Sequence, residues 1–334
     1  MPRLQLRLAL GITLLALAVV VLGAYTRLTG SGLGCPDWPG CYGHLSVPSQ
    51  APGAAQAWVE MVHRYAAGSL ALLIGLQAWL SWRRQGWRQP APLLLLAMVA
   101  LQALLGMWTV TLKVWPQVVT LHLLGGLTTL GLAYWHHCRL RAARAPVSAK
   151  PSRRIRRLAM VGLLALALQI ALGGWVSTNQ AGAVCPTFPG CGAVKLNDLA
   201  SSASAPLAQP IGPSYLAGRL GLPERAAIQV LHRLGALILL GLTLILAHRL
   251  RQQGFRREAA AILAMTFAQL GLGILSAALL APLALSLAHT AGAAVLTLLW
   301  VNLNHRLCAP ASVSDRGPAQ SGWALRPRPL RTPS

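Results

Sequence analysis

Four histidines lie within strongly apolar stretches of the sequence, where imidazole is well suited to bind a metal. They are His63, His122, His232 and His289. His63 and His232 are each followed by arginine, whereas Gln102 precedes His122 by the same interval as Gln269 precedes His289. The four histidines therefore form two matched pairs, one in each half of the chain.

The composition around each pair favours haem over zinc. Neither pair has the cysteine or carboxylate that would complete the three or four protein ligands of a zinc site. Haem iron takes one or two axial imidazoles in an otherwise apolar pocket, which a helical interior rich in Leu, Ala and Gly provides. Glycines on the same helices would let a macrocycle or another helix approach closely; they are Gly68, Gly75, Gly125, Gly126, Gly235, Gly241 and Gly292. Interhelical hydrogen bonding by the histidines is the alternative interpretation.

Two arginines stand beside these candidate ligands. Arg64 and Arg233 directly follow His63 and His232. They are candidate partners for haem propionates, since guanidinium pairs with carboxylates in a forked geometry. The alternative is that both side chains reach out to lipid headgroups. The remaining histidines, at 44, 136, 137, 248 and 305, fall in a loop or beside arginines at helix ends, so we assign them no ligand role.

One acidic residue breaks the match between the halves. Glu60 stands one helical turn before His63, and the second half has Gln229 at the corresponding place. Residues three apart share a helix face, so Glu60 should point to the same cofactor edge as His63. A carboxylate is costly in a membrane, and the chain has only 6 acidic residues. Pairing with Arg64 is the alternative role, but the asymmetry favours a reactive first half and an electron-transferring second half.

The elements that position these residues are predicted to be membrane helices. The chain of 334 residues is 55% hydrophobic and holds apolar runs long enough to cross a bilayer. Eight such runs span roughly 8–26, 62–82, 93–112, 118–137, 158–177, 226–247, 259–280 and 283–303. They lack the alternation of barrel strands, which predicts an all-α integral membrane protein.

The net charge of +23 comes from 29 Lys and Arg, most of them on segments that share one side if both termini are cytoplasmic. This asymmetry is typical of positive-inside topology and makes nucleic-acid binding an unnecessary explanation. The first apolar run has no small-residue cleavage site after it, so we interpret it as a retained anchor. The tail 310–334, rich in Pro, Arg and Ser, is expected to be disordered.

The sequence also repeats itself. The stretch before Cys35 matches the stretch before Cys185, with Gly23 over Gly173, and His63-Arg64 aligns with His232-Arg233. Each unit has an even number of spans, so this is a parallel repeat. We expect a four-helix half at 1–145, a basic linker at 146–157, a second four-helix half at 158–309 and the tail.

Six cysteines complete the pattern. The segments CPDWPGC (35–41) and CPTFPGC (185–191) fall on the outer, oxidising side of the predicted topology. A Pro-Gly turn folds each segment back, so Cys35 with Cys41 and Cys185 with Cys191 is the natural pairing; pairing between the halves stays open. Trp38 or Phe188 could cap a pocket beneath, and Cys138 and Cys308 should be free.

The ordered set of these features resembles the haem A synthase family over about residues 10–306. The features are GAYTRLTGSGLGCPDWPGC, the Glu-x-x-His-Arg opening of the second helix and single histidines on helices four, six and eight. The resemblance implies haem b between His232 and His289, and the substrate haem O between His63 and His122. It implies Glu60 as the catalytic carboxylate and oxidation of the C8 methyl to a formyl group by two hydroxylations. It further implies lipid, a haem O synthase and a homo-oligomer as candidate partners in the plasma membrane.

Three other functions stay open at this point. A membrane oxidoreductase that generates disulfides would use the cysteine pairs but leaves the histidines unexplained. A di-haem cytochrome b that only relays electrons explains the histidines but not the difference between Glu60 and Gln229. A transporter on a parallel repeat is weaker, since no pair of broken helices is visible.

Overall fold

A computed structural model describes residues 2–86, 90–142, 151–188, 190–191 and 209–308. Within these ranges the chain forms eight α-helices, each long and apolar enough to cross a membrane. They are α1 (Pro2–Leu28), α2 (Ala54–Gln85), α3 (Pro90–Thr111), α4 (Pro116–Ala142), α5 (Arg153–Thr178), α6 (Leu222–Gln252), α7 (Arg256–Ala278) and α8 (Leu283–Cys308). The described residues contain no strand beyond an isolated bridge between Cys41 and His44. The prediction of an all-α, multi-pass membrane protein is therefore confirmed.

The helices extend past the apolar runs because their polar end turns need not lie in hydrocarbon. The helix α2 begins at Ala54, ahead of the predicted run, and α6 begins at Leu222. The helix α5 begins at Arg153, inside the stretch predicted as linker, and Ser152 caps it by accepting from the Ile155 N–H at 3.3 Å. Residues 146–150 of that linker and the tail 310–334 lie outside the described residues.

The helices of each half pack in the same cyclic order. In the first half α1 contacts α2 and α4, and α3 contacts α2 and α4; in the second half α5 contacts α6 and α8, and α7 contacts α6 and α8. Each group encloses an apolar core. Residues at most 1% exposed in these cores include Ile12, Ile74, Leu95 and Leu130 in the first half and Leu246, Ile262 and Leu303 in the second.

The halves meet where α4 contacts α5 and α8, and where α1 contacts α8. Small residues allow this approach. A Cβ placed on Gly131 would lie 3.4 Å from the Val301 side chain, and one on Gly174 would lie 3.1 Å from Leu123. The half-buried Arg27 on α1 donates to the Ser177 carbonyl at 2.7 Å. The two bundles are therefore in direct contact.

Matching turns follow the third helix of each half. Lys113 and Val114 have φ of 52° and 55°, and Leu280 and Ala281 have φ of 62° and 59°. In both turns a residue in this left-handed region donates back to the helix it leaves, Val114 N to Thr109 O at 2.7 Å and Ala281 N to Ser276 O at 2.6 Å. These shared turns agree with two corresponding units. The parallel repeat, the boundaries 1–145 and 158–309 and the side on which the termini lie stay predictions.

Candidate functional site

The structure brings the two histidines of the second half face to edge. His232 on α6 and His289 on α8 have ring centroids 6.5 Å apart at an interplanar angle of 86°. A metal–nitrogen bond of about 2 Å, plus about 1 Å from nitrogen to ring centre, taken on both sides, gives roughly 6 Å. The observed separation therefore suits two axial imidazoles on one iron, and the donor set fits haem.

The histidines of the first half also lie near each other. His63 is on α2 and His122 is on α4. The two side chains lie close enough for their charges to interact. The Nδ1 atoms of both rings are buried and have no hydrogen-bond partner. Buried polar atoms are normally satisfied, so two such nitrogens in one bundle indicate a site with a task other than packing.

Every one of the four rings rests on a glycine of a neighbouring helix. A Cβ added to Gly23, Gly106, Gly173 or Gly273 would lie 2.9, 3.4, 3.1 or 3.2 Å from Cε1 of His63, His122, His232 or His289, respectively. Each histidine lies 6 to 10 residues into its helix, or roughly 9 to 15 Å at the α-helical rise of 1.5 Å per residue. The depth predicted from the sequence is therefore matched on all four helices.

Six of the seven glycines singled out from the sequence fall into two groups, and the seventh, Gly126, makes only ordinary contacts at 3.7 Å or more. A Cβ on Gly68, Gly75 or Gly241 would meet no atom within 4 Å. Gly125, Gly235 and Gly292 instead lie directly under the amides of Gln102, Gln169 and Gln269. From the sequence, Gln102 and Gln269 served only to align the halves, and Gly106 and Gly273 were not predicted to have a role. The spacing from each glutamine to the following glycine was the available signal.

Glu60 is buried in a defined polar setting. Its side chain accepts a hydrogen bond from the Cys35 N–H at 3.0 Å and pairs with Arg64 one turn further along α2. Gln229, its counterpart on α6, is equally buried, but its Oε1 has no hydrogen-bond partner. The difference seen in the sequence thus corresponds to a difference in structure, because only the first half holds a carboxylate with partners.

Both arginines bind the loop that carries the cysteines. Arg64 donates to the carbonyls of Asp37 at 2.9 Å and Pro39 at 3.2 Å, and also to Gly40. Arg233 donates to the carbonyls of Thr187 and Gly190 at 2.8 Å. Each cysteine loop is thereby fastened to the second helix of its own half. Contact with haem propionates stays a prediction for both arginines.

The cysteine pairs form within the loops. Cys35 and Cys41 are joined with Cα atoms 4.8 Å apart, and Cys185 and Cys191 with Cα atoms 4.6 Å apart. This confirms pairing within each segment and rules out pairing between the halves. The other two cysteines, Cys138 and Cys308, are free.

The aromatic residues of the two loops are exposed. Trp38 is 41% exposed and Phe188 56% exposed, and the Arg233 guanidinium lies 5.7 Å from the Phe188 ring centre. In the first loop the Asp37 carboxylate accepts from the N–H groups of Gly43 at 2.7 Å and Tyr42 at 2.6 Å. These bonds lower the pKa of Asp37 below its ordinary value.

Two of the remaining histidines have polar partners of their own. His136 is buried, at 4% exposure, and its Nε2 lies 2.9 Å from the Gln77 amide nitrogen. His248 pairs with Gln252 at 3.0 Å on the exposed end of α6. His136 is therefore packed between helices, with an interhelical hydrogen bond to Gln77 as its observed contact, and its interfacial position stays a prediction.

Comparison with known proteins places these features in a family. Residues 6–301 match the COX15-CtaA family, described as cytochrome oxidase assembly protein. A haem A synthase of Shewanella oneidensis is 37% identical over 328 residues, covering 93% of this chain and 99% of the relative. A haem A synthase of Methylobacterium sp. is 30% identical over 320 residues, covering 82% and 84%. The resemblance predicted from the sequence is confirmed, and the chain belongs to the haem A synthase family.

Proposed function

We propose that the chain is a haem A synthase, which oxidises the C8 methyl group of haem O to a formyl group and so produces haem A for terminal oxidases. The relatives that match most of its length carry this name. The observation that carries the proposal is the asymmetry between two otherwise matched histidine pairs. Glu60 stands beside one pair, and Gln229 stands at the same place beside the other.

The first half is proposed to bind the substrate. His63 and His122 would provide axial imidazoles for haem O, and the Nδ1 atoms of both rings are buried. Glycines at the backs of the rings, Gly23 and Gly106, let α1 and α3 approach closely. The porphyrin would then lie against apolar helix surfaces that exclude water from the reacting methyl group.

Glu60 is proposed to act as the general base. The reaction proceeds by two hydroxylations of the same carbon, after which the resulting gem-diol loses water. With water as the source of oxygen, each hydroxylation releases two electrons and two protons, and a carboxylate fixed beside the substrate can take a proton from the attacking water. The Cys35 N–H and Arg64 hold the Glu60 oxygens in place before substrate arrives, so no reorganisation is needed at the moment of proton transfer.

The second half is proposed to hold haem b. His232 and His289 have the separation that two axial ligands require. His232 and His289 would hold this haem, and the group would supply the electron-transfer chemistry that oxidation of the methyl group requires. Gln229 cannot accept a proton as a carboxylate does, which agrees with a half that transfers electrons only.

The proposed orientation has both termini in the cytoplasm and both cysteine loops on the outer face of the plasma membrane. Arginine-rich helix ends support it, for example Arg83 and Arg84 on α2 and Arg249 and Arg251 on α6. The two disulfides agree with an oxidising compartment on the loop side. Direct transfer of haem O from a haem O synthase, and assembly as a homo-oligomer, belong to the same proposal.

The test is extraction of haems from bacteria that make haem O and lack a haem A synthase of their own. Cells expressing the chain should contain haem A by reversed-phase chromatography and mass spectrometry, and cells with an empty vector should contain haem O only. Absence of haem A, with the protein present in the membrane and carrying a b-type spectrum, would favour the electron relay. Absence of both haem A and a haem spectrum would favour the disulfide-generating oxidoreductase.

A further inference from the structure

Three of the four candidate ligands share a polar contact that the fourth lacks. A glycine follows His122, His232 and His289 three residues later on the same helix, and a glutamine from the preceding helix lies on each glycine. The pairs are Gln102 on Gly125, Gln169 on Gly235, and Gln269 on Gly292. A Cβ at any of these glycines would collide with the amide, so the absence of a side chain leaves the space that the glutamine fills.

In the second half these glutamines hold both histidines. The Gln169 amide nitrogen lies 3.1 Å from His232 Nδ1 and donates to the His232 carbonyl at 3.0 Å. The Gln269 amide satisfies its neighbours when its nitrogen faces His289. The nitrogen then donates to His289 Nδ1 and to the His289 carbonyl at 3.0 Å each, and the amide oxygen accepts from the Ala293 N–H at 3.1 Å. Each glutamine therefore contacts both Nδ1 of the imidazole and the backbone of the helix that carries the histidine.

His63 lacks every part of this arrangement. Ala66 stands where the glycine would be, and Val19 stands four residues before Gly23, as Gln169 does before Gly173. Valine offers no polar side-chain atom, and His63 Nδ1 is buried without a hydrogen-bond partner. Backbone contacts do not distinguish the three sites. The backbone of Val19 contacts His63, and the backbones of Gln169 and Gln269 contact His232 and His289 in the same way.

His122 is intermediate between these two cases. The Gln102 amide lies on Gly125 in the manner of Gln269 on Gly292. However, the Gln102 amide nitrogen and His122 Nδ1 are both buried without a hydrogen-bond partner. A glutamine hydrogen bond to the ring is therefore present at His232 and His289 and absent at His122 and His63.

We propose that Gln169 and Gln269 are positioning residues that make His232 and His289 permanent ligands, and that His63 is the ligand that releases haem. The inference rests on the proposed function, in which one haem stays bound while the other must enter and leave in every reaction cycle. When Nδ1–H of a ligating imidazole donates to an acceptor, the bond fixes the ring and strengthens it as a ligand, and its loss typically lowers metal affinity 10- to 100-fold.

The amide can serve a ligand in this way because it can turn. An imidazole that binds iron through Nε2 carries its proton on Nδ1, so an acceptor must face Nδ1. Gln169 Oε1 is buried and has no partner in the structure. A half-turn of the amide would bring this oxygen to Nδ1 as an acceptor, in place of the two contacts that the amide nitrogen makes in the structure. A leucine of similar size could not accept from Nδ1–H in this way.

The test measures the bound haem of purified full-length protein, independently of haem A formation. Gln169→Leu and Gln269→Leu keep the side-chain volume and remove the hydrogen bond. We expect transfer of haem b to apomyoglobin to become about tenfold faster. We also expect the midpoint potential of haem b to rise, because a weaker donor ligand stabilises ferric iron less. A purely structural role for the glutamines would leave this potential unchanged in the protein that retains haem.

The reciprocal variant transfers the arrangement to the first half. Val19→Gln combined with Ala66→Gly should slow haem release from the first half about tenfold, whereas Val19→Leu with Ala66→Gly should not. Unchanged potential and release rates in all four variants would overturn the inference even if haem A is made. If the glutamine variants raise the potential but no haem A is ever formed, the proposed function falls and the role of the glutamines stands.

Discussion

Glu60 on α2 accepts a hydrogen bond from the backbone N–H of Cys35 at 3.0 Å. Because Cys35 is half of a disulfide and the loop is also bound by Arg64, the carboxylate, the loop and the helix form one connected unit. The corresponding Gln229 has a buried Oε1 without a partner. A group that must meet a substrate in a fixed geometry gains from such support, since small displacements reduce rates strongly.

The first prediction concerns the charge of this carboxylate. Glu60→Gln keeps the size of the side chain and an oxygen that can accept from the Cys35 N–H, but it removes the proton-accepting carboxylate. We expect unchanged haem binding and a fall in haem A formation of about 100-fold or more. Extracted haems and the absorption spectrum measure the two quantities separately. Gln229→Ala is the matched control and should retain haem A formation; full activity of Glu60→Gln would remove Glu60 from the mechanism.

The second prediction concerns the histidine pair of the second half. His232→Ala and His289→Ala should each abolish the low-spin b-type spectrum of the purified protein, because one axial ligand is lost. His248→Ala, at the exposed end of the same helix as His232, should leave the spectrum unchanged. A low-spin spectrum of normal intensity in both ligand variants would contradict the assignment.

Much of this architecture could be predicted because its signals are local. Apolar runs predict spans, and the repeated Cys-Pro-x-aromatic-Pro-Gly-Cys segments predict the pairing of Cys35 with Cys41. The contacts of Gln169 and of Arg64 could not be predicted in the same way. They depend on which helix faces and which loop carbonyls come together. Every residue has a backbone carbonyl, so the sequence does not indicate which of them accepts a hydrogen bond. The four-residue spacing from Gln269 to Gly273 is visible in the sequence, but only the structure shows that a histidine ring lies against the glycine.

The third prediction follows from the glycines behind the rings. In Gly173→Ala the new Cβ would lie 3.1 Å from His232 Cε1, so the ring must move from its observed position. We expect a shifted or weakened low-spin spectrum. Gly68→Ala is the control, because its Cβ meets no atom within 4 Å. In an exposed helix interior this change should stabilise the fold by up to about 1 kcal/mol. An identical spectrum in both variants would show that the glycine contact does not position the ring.

The fourth prediction separates the two arginines. Arg64→Gln removes the contacts to both Glu60 and the first cysteine loop, whereas Arg233→Gln loosens only the second loop. We expect haem A formation to fall strongly in the first variant and little in the second. Each variant should also speed reduction of its own disulfide by a water-soluble phosphine. Arg64→Lys should restore little, since one ammonium cannot reproduce the forked contacts of guanidinium. Equal losses of activity from both glutamine variants would contradict a special role for Arg64.

The fifth prediction concerns the pH dependence of the first loop. The N–H groups of Gly43 and Tyr42 lower the pKa of Asp37, whose ordinary value is about 3.9. Its stabilising effect is therefore complete above about pH 4 and is lost as the pH falls through the lowered pKa. Below that pH, reduction of Cys35–Cys41 by the phosphine should accelerate. Alkylation of the released thiols and mass spectrometry measure the rate. Cys185–Cys191 is the internal control, because Thr187 replaces Asp37 in its loop. In Asp37→Asn the disulfide should be reduced at the same rate across this pH range. A pH response that persists in this variant would mean that another group causes it.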